Sequence, residues 1–156
     1  MNFLQEFNRI MLSQKELALA TSVDNIPNVQ KELALATSVD NIPNVRIVNF
    51  YYNISNKGVV YFSTFSDNPK IEEFAKNNIV AFTTIPSNGN EHVRVNKALI
   101  QKSNLTIFDL KNDFIKKIPD YEMTINEVGN QLSLYEIHFN QATVTLDYAQ
   151  SDIITL

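Results

Sequence analysis

QKELALATSVDNIPNVRIVNFYY, residues 30–52, is the stretch on which the fold turns. Its first half is ambiguous, because leucine and alanine favour helix while the Thr37-Ser38-Val39 end favours strand. Asp40-Asn41-Ile42-Pro43-Asn44 has the composition of a turn. Arg46-Ile47-Val48-Asn49-Phe50-Tyr51-Tyr52 is β-branched and aromatic, the composition of a strand. Residues 33–39 and 44–52 are therefore expected to pair as a hairpin, since a local hairpin closes at little entropic cost.

The sixteen letters at 30–45 also stand, without one difference, at 14–29. A repeat selected as a structural unit drifts at its solvent positions, and this one has not. Two such short copies are also too few for a solenoid. The chain reads as a single domain, 1–156, carrying an exact tandem duplication of 14–29 as 30–45, with one copy extra. Only the second copy is contiguous with Arg46, so it is expected to form the first strand. The first copy then prolongs the N-terminal helix through Gln14–Thr21 or loops out. Lengthening a connection about fivefold costs only about 1.4 kcal/mol by the logarithmic loop rule, so the fold should survive it.

Outward from the hairpin, Phe3, Leu4, Phe7, Ile10 and Met11 recur at helical spacing over residues 2–13. Gly58–Thr64 reads as a third strand, Ile79–Ile85 as a fourth and His92–Ile100 as a fifth. Asn68-Pro69 is a cap followed by proline at the first helical position, opening a helix over Lys70–Asn77. Ile107, Leu110, Phe114 and Ile118 mark another helix, ended by Pro119. Leu132–Phe139 and Ala142–Leu146 are expected to form a closing hairpin. Strands dominate and connections are too short for repeated crossover helices, so the expected architecture is an antiparallel β-barrel with short helices between its strands.

Bulk properties narrow the function. The 156 residues, 44% hydrophobic, suffice for one domain that buries roughly two-thirds of its unfolded surface. Net charge is −4 and the basic residues are scattered, which argues against a nucleic-acid backbone as partner. There is no cysteine, so disulfides, thiolate metal sites and a cysteine nucleophile are excluded. MNFLQEFNRIML has neither the basic start nor the apolar run of a signal peptide, and a cytoplasmic protein with no membrane partner is expected.

The stretch richest in chemistry is Ser63-Thr64-Phe65-Ser66-Asp67-Asn68-Pro69-Lys70. Hydroxyls, backbone N–H groups at a helix start and one lysine together make a phosphate cradle; the alternative is a set of cap and turn residues with a solvated lysine. Arg46 sits mid-strand in an aromatic-flanked run, where a guanidinium binds a carboxylate or phosphate or stacks on a planar ring. The alternative there is an outward-facing charge, and Arg94 reads as a surface residue. His92 and His138 have no metal-ligand spacing, and no metal site is expected. No G-x-S-x-G or G-x-G-x-x-G is present, and Glu72 and Glu73 read as solvated helix surface. Any chemistry is expected to be carried by a bound cofactor.

The order of pieces is informative as a whole. An N-terminal helix leads into Leu-Ala-Thr…Pro-x-Val-Arg-x-Val, then Gly-x-x-Tyr-Phe-Ser-Thr, Lys-x-x-x-Phe-x-x-Asn and Val-Arg-Val-x-x-Ala. With one repeat copy removed, the chain from about Phe3 to Leu146 resembles the pyridoxamine 5′-phosphate oxidase-like family of FMN-binding split barrels. The resemblance implies a six- to seven-stranded antiparallel split β-barrel with an N-terminal helix, a homodimer, and FMN in a groove between the subunits. It implies that Arg46 and the backbone of Ile47, Val48 and Asn49 run along the flavin ring or phosphate. Phe62, Ser63, Thr64 and Lys70 would hold the phosphate, and Glu91 or His92 would lie near the ring. The authentic oxidase carries a lysine for the substrate phosphate about where this chain has Tyr51, and a C-terminal arginine; here no arginine follows Arg94. Oxidation of pyridoxamine phosphate is thus not expected. A small flavin-dependent oxidoreductase of unknown substrate, with NAD(P)H as a possible hydride donor, is the implied activity. A non-enzymatic flavin- or haem-binding module on the same barrel is the alternative.

Overall fold

A computed structural model of the chain describes residues 1–12, 32–86 and 89–156. The expected fate of the first repeat copy, including helix through Gln14–Thr21, lies outside the described residues. The second copy is a strand: β1 (Glu32–Val39) pairs antiparallel with β2 (Ile42–Asn49). The turn is tighter than composition suggested. Asp40 and Asn41 carry it alone, with φ of 52° and 62°, the left-handed pair that a two-residue hairpin needs and that these side chains tolerate. Pro43 is inside β2, opposite Ser38. Counting from the closing Val39–Ile42 pair, Pro43 falls at a non-hydrogen-bonded position, so its missing N–H faces the open edge and costs the ladder nothing.

The remaining elements are α1 (Phe3–Met11), β3 (Tyr51–Tyr52), β4 (Val59–Phe65), α2 (Lys70–Lys76), β5 (Ile79–Thr84), β6 (His92–Lys102), α3 (Lys111–Lys117), α4 (Tyr121–Val128), β7 (Leu132–His138), β8 (Gln141–Thr145) and β9 (Ser151–Thr155). All pairings are antiparallel, in the order β2-β1-β5-β6-β7-β4-β3, with β8 between β6 and β9. β2 and β3 are one stretch of chain kinked at Phe50: its first part pairs with β1 and its last with β4. The ladder is thus split there, and its two ends are joined by covalent continuity instead of hydrogen bonds. Counting each kinked pair as one strand gives a six-strand circuit plus β9, the expected split barrel with its N-terminal helix.

One expected pairing is wrong. β7 and β8 do not form a hairpin; both lie antiparallel along β6, β7 against Leu99–Lys102 and β8 against His92–Arg94. They are successive lengths of one strand, bent at Phe139-Asn140. The closing hairpin is instead β8–β9, which the sequence reading did not include. The bend depends on Gly58, whose φ of +73° and closeness to the Phe139 carbonyl leave no room for a side chain.

The barrel interior is filled by Leu33, Leu35, Val48, Phe50, Phe62, Val80, Phe82, Val93, Val95 and Ile137. α1 is capped by Asn2, whose Oδ1 accepts from Leu4 N (3.1 Å) and Gln5 N (3.3 Å). It drives Phe7 edge-on against Tyr52 and Phe139. A second, smaller core lies on the outer face of β4 and β7, where Val59, Tyr61 and Leu134 are covered by Ile107, Phe114 and Ile125. The helix expected across Ile107–Ile118 forms only over α3, because Thr106 and Asp109 build a separate turn before it. α4, beyond Pro119, was not expected.

Candidate functional site

The site grows from strand alternation. Paired residues in an antiparallel ladder share a face, so Thr37 opposite Asn44 and Leu35 opposite Arg46 place these side chains on the inner face of β1–β2. Leu33 and Val48 are buried below them, which leaves Arg46 and Thr37 toward the rim. α2 lies over that rim. Asn68 Oδ1 accepts from Lys70 N at 3.1 Å, and Pro69 has φ −55° at the first position, so the helix starts where the sequence required. Phe74 anchors it against Phe62 and Tyr135. Lys70 and Glu73, three positions apart, then share the face turned to β1–β2.

Glu73 is the hub. Its Oε2 accepts from Thr37 Oγ1 and from Arg46 Nη2, each at 2.6 Å, and its Oε1 accepts from Asn44 Nδ2 at 3.1 Å. Burial alone would raise its pKa, but these donors outweigh it and hold the carboxyl below its ordinary range. Lys70 is pushed the other way: burial and then the neighbouring Arg46 charge lower its pKa, with Glu73 opposing in part. Arg46 Nη1 is buried and has no hydrogen-bond partner among the described residues. Glu73 thus pairs with Arg46 while Lys70 lies within electrostatic reach of both, and one guanidinium nitrogen is left with a donor to spend.

The sequence-derived residues divide. Arg46 and Lys70 are brought together, and Arg46 points inward, not outward. Val48 and Phe62 are core, and Thr64 is buried on the barrel side of β4. Ile47 and Asn49 alternate to the outer face of β2, where Ile47 is 61% exposed. Ser63 faces away from Phe62 and Thr64, and its hydroxyl is hydrogen-bonded to the Tyr121 hydroxyl of α4. Nor does the start of α2 offer spare donors. The amides of Lys70, Ile71 and Glu72 are bonded to Asn68 Oδ1, Asn68 O and Pro69 O. Sequence reasoning missed Thr37, Asn44 and Glu73; the usable signal was the three-residue spacing of Lys70 and Glu73 ahead of an apolar Phe74.

Other polar groups lie elsewhere. Tyr51 is raised to about 12 by burial and then by the nearby Asp113 carboxylate. Its ring stacks on Tyr61 and leans on Phe114, so the position is part of the helical layer. His138 Nε2 is 2.7 Å from Glu136 Oε2, and Glu136 also accepts from Ser103 Oγ at 2.6 Å. His92 Nδ1 donates to the Asn90 carbonyl at 2.8 Å. Glu91 is paired with Arg9 at 2.9 Å. Among the described residues no group of acids and histidines could hold a metal ion, and no helix is long and apolar enough to cross a membrane.

The sequence profile of the pyridoxamine 5′-phosphate oxidase-like family matches residues 30–151. No curated protein matches the chain. Among solved structures, general stress protein 26 of Bacillus anthracis str. Sterne superposes with a TM-score of 0.62 at 16% identity, covering 93% of this chain and 100% of that one. A haem-binding protein of Mycobacterium smegmatis gives 0.63 at 11% identity; the match covers 92% of this chain and 57% of the other. An FAD-binding protein of Mesorhizobium loti gives 0.54 at 15% identity over 74% and 85% of the two chains. At these identities the likeness speaks for the fold alone.

Proposed function

The chain belongs to the pyridoxamine 5′-phosphate oxidase-like family, and on that premise we propose that it binds FMN and works as a small, homodimeric flavin-dependent oxidoreductase. The observation that carries this reading is the unpartnered Arg46 Nη1 beside Lys70. A buried guanidinium donor without an acceptor is costly, and a phosphate oxygen satisfies it with a charge-assisted bond. The residues present fit that group. When bound, the flavin supplies hydride chemistry; the protein's part is to hold and orient it. Arg46 and Lys70 bind the phosphate, Thr37 and Asn44 keep Glu73 in place, and Ile47, Val48 and Asn49 form the strand alongside. Phe62 and Thr64 support that wall from β4. Ser63, on the opposite face of β4 and bonded to Tyr121, stands outside the proposed phosphate subsite.

Self-association is supported by an apolar outer face. α3 and α4 roof the β4–β7 half of the sheet, whereas Val45, 65% exposed, and Ile47 stand uncovered across from Ala36 and Ala34. A second copy of the chain is the proposed cover, placing two symmetric faces beside the two phosphate clusters. The test is the visible spectrum of purified protein, before and after FMN is added and the sample desalted, with sedimentation velocity on the same preparation. Retained flavin bands on a dimer, lost in Arg46→Ala and Lys70→Ala, are expected. Full FMN affinity in Lys70→Ala would overturn the assignment. A second reading, a haem-binding module, has one observation in its favour: with Nδ1 donating to Asn90, His92 keeps a lone pair on Nε2 for iron. A haem spectrum on reconstitution, with no flavin retained, would decide for it.

A further inference from the structure

Glu73 is an unexpected neighbour for a phosphate. The three groups bonded to it, Thr37 Oγ1, Arg46 Nη2 and Asn44 Nδ2, all act as donors, which is the environment of an ionised carboxylate. It takes up one edge of the Arg46 guanidinium and leaves Nη1 as the free donor. Its side chain is 25% exposed, so water screens its field only in part. Formal charge in the cluster is two positive and one negative, and an arriving phosphate meets repulsion from Glu73 as well as attraction from Arg46 and Lys70.

We propose that Glu73 sets the affinity of the phosphate subsite: it cancels one of the two positive charges, so that a phosphate-bearing flavin is held exchangeably. This rests on the FMN reading above. The competing role, in which Glu73 serves only to orient Arg46, makes the opposite prediction. Glutamine separates them because it is nearly isosteric. Its carbonyl can face Arg46 and Thr37, and its amide can face Asn44, whose own amide turned over accepts in place of donating. Geometry stays and charge goes.

The test is flavin-fluorescence titration of wild type and Glu73→Gln with FMN and with riboflavin, which lacks the phosphate. FMN should bind roughly tenfold more tightly to the variant, the scale of one removed unit charge at close range under partial screening. Riboflavin affinity should not change. An unchanged or weaker FMN affinity, or equal tightening for riboflavin, overturns the inference while the FMN reading stands. Absence of FMN binding in wild type and variant alike overturns that reading and this inference with it. Glu73→Ala covers the case in which Glu73→Gln does not fold. It also removes the negative charge, so FMN should again bind more tightly with riboflavin unaffected, and unchanged or weaker FMN affinity in that variant also overturns the proposal.

Discussion

Lys117→Met should make the protein more stable, and the reason lies in what surrounds the amine. Lys117 retains only 6% of its exposure; its Nζ lies 3.2 Å from the Phe50 ring centroid and 3.4 Å from the Met11 carbonyl oxygen. None of the ion pairs among the described residues includes it. A desolvated ammonium over a ring gains about 2 kcal/mol, and the long bond to Met11 adds about 1 kcal/mol at most. Taking the charge out of water costs several kcal/mol. Desolvation wins, so burial drives the pKa well below its ordinary 10.5 and disfavours the charged amine in the folded protein. Methionine keeps the packed stem and removes the buried polar group, a gain of about 1–3 kcal/mol. In a chain of this size that raises Tm by roughly 3–10 °C.

The pH dependence sharpens the test. Between the depressed folded pKa and 10.5 the unfolded lysine carries a proton that the folded one lacks. Wild-type stability should therefore rise with pH across that window, by up to about 1.4 kcal/mol per unit from this group, and level off above it. Thermal melts followed by circular dichroism at roughly pH 7 to 10 should show this slope in wild type and its loss in Lys117→Met. A variant less stable by about 1 kcal/mol or more, with the slope unchanged, would refute the reasoning and mean that the amine is charged and stabilised by Phe50.

Two further outcomes follow from the fold. Gly58→Ala should cost about 3 kcal/mol or more, because a Cβ there would stand 2.2 Å from the Phe139 carbonyl oxygen on a backbone already at φ +73°. Gly89→Ala, also left-handed at φ +60° but with nothing within 4 Å, should cost only about 1 kcal/mol, and chemical denaturation compares the two. Deleting residues 14–29 should leave the barrel intact, since β1 comes from the second copy. The gain from the shorter connection should be near 1.4 kcal/mol, and unchanged FMN retention would show that the extra copy does not disturb the groove.

Much of this was readable along the chain, and the misses share a cause. Hairpin β1–β2, the cap at Asn68 and most strands follow from local rules: turn residues that accept positive φ, a side-chain acceptor ahead of a helix, β-branched runs. The β7–β8 error came from reading sequence proximity as pairing. A two-residue gap suits a tight turn or a bend equally well, and only the eleven-residue β6 lying beside both decided for the bend. Ser63 shows the same limit. Its alternation with Phe62 and Thr64 puts it on the other face of β4, but that this face is roofed by α4 and holds Tyr121 depends on packing.

The cluster at Arg46 divides along the same line. Sequence by itself determined its cations, because an arginine within an apolar strand and a lysine opening a proline-started helix are local facts. Sequence also determined the face on which Lys70 and Glu73 fall together, through the helical period. Which of the two glutamates at 72 and 73 would meet Arg46, and that Thr37 and Asn44 would join them, was decided only when α2 settled over the rim of β1–β2. Side-chain periodicity fixes directions within one element. The distance between charges on different elements is set by how those elements pack, and it is that distance which turned Glu73 from a solvated surface acid into the counter-charge of the site.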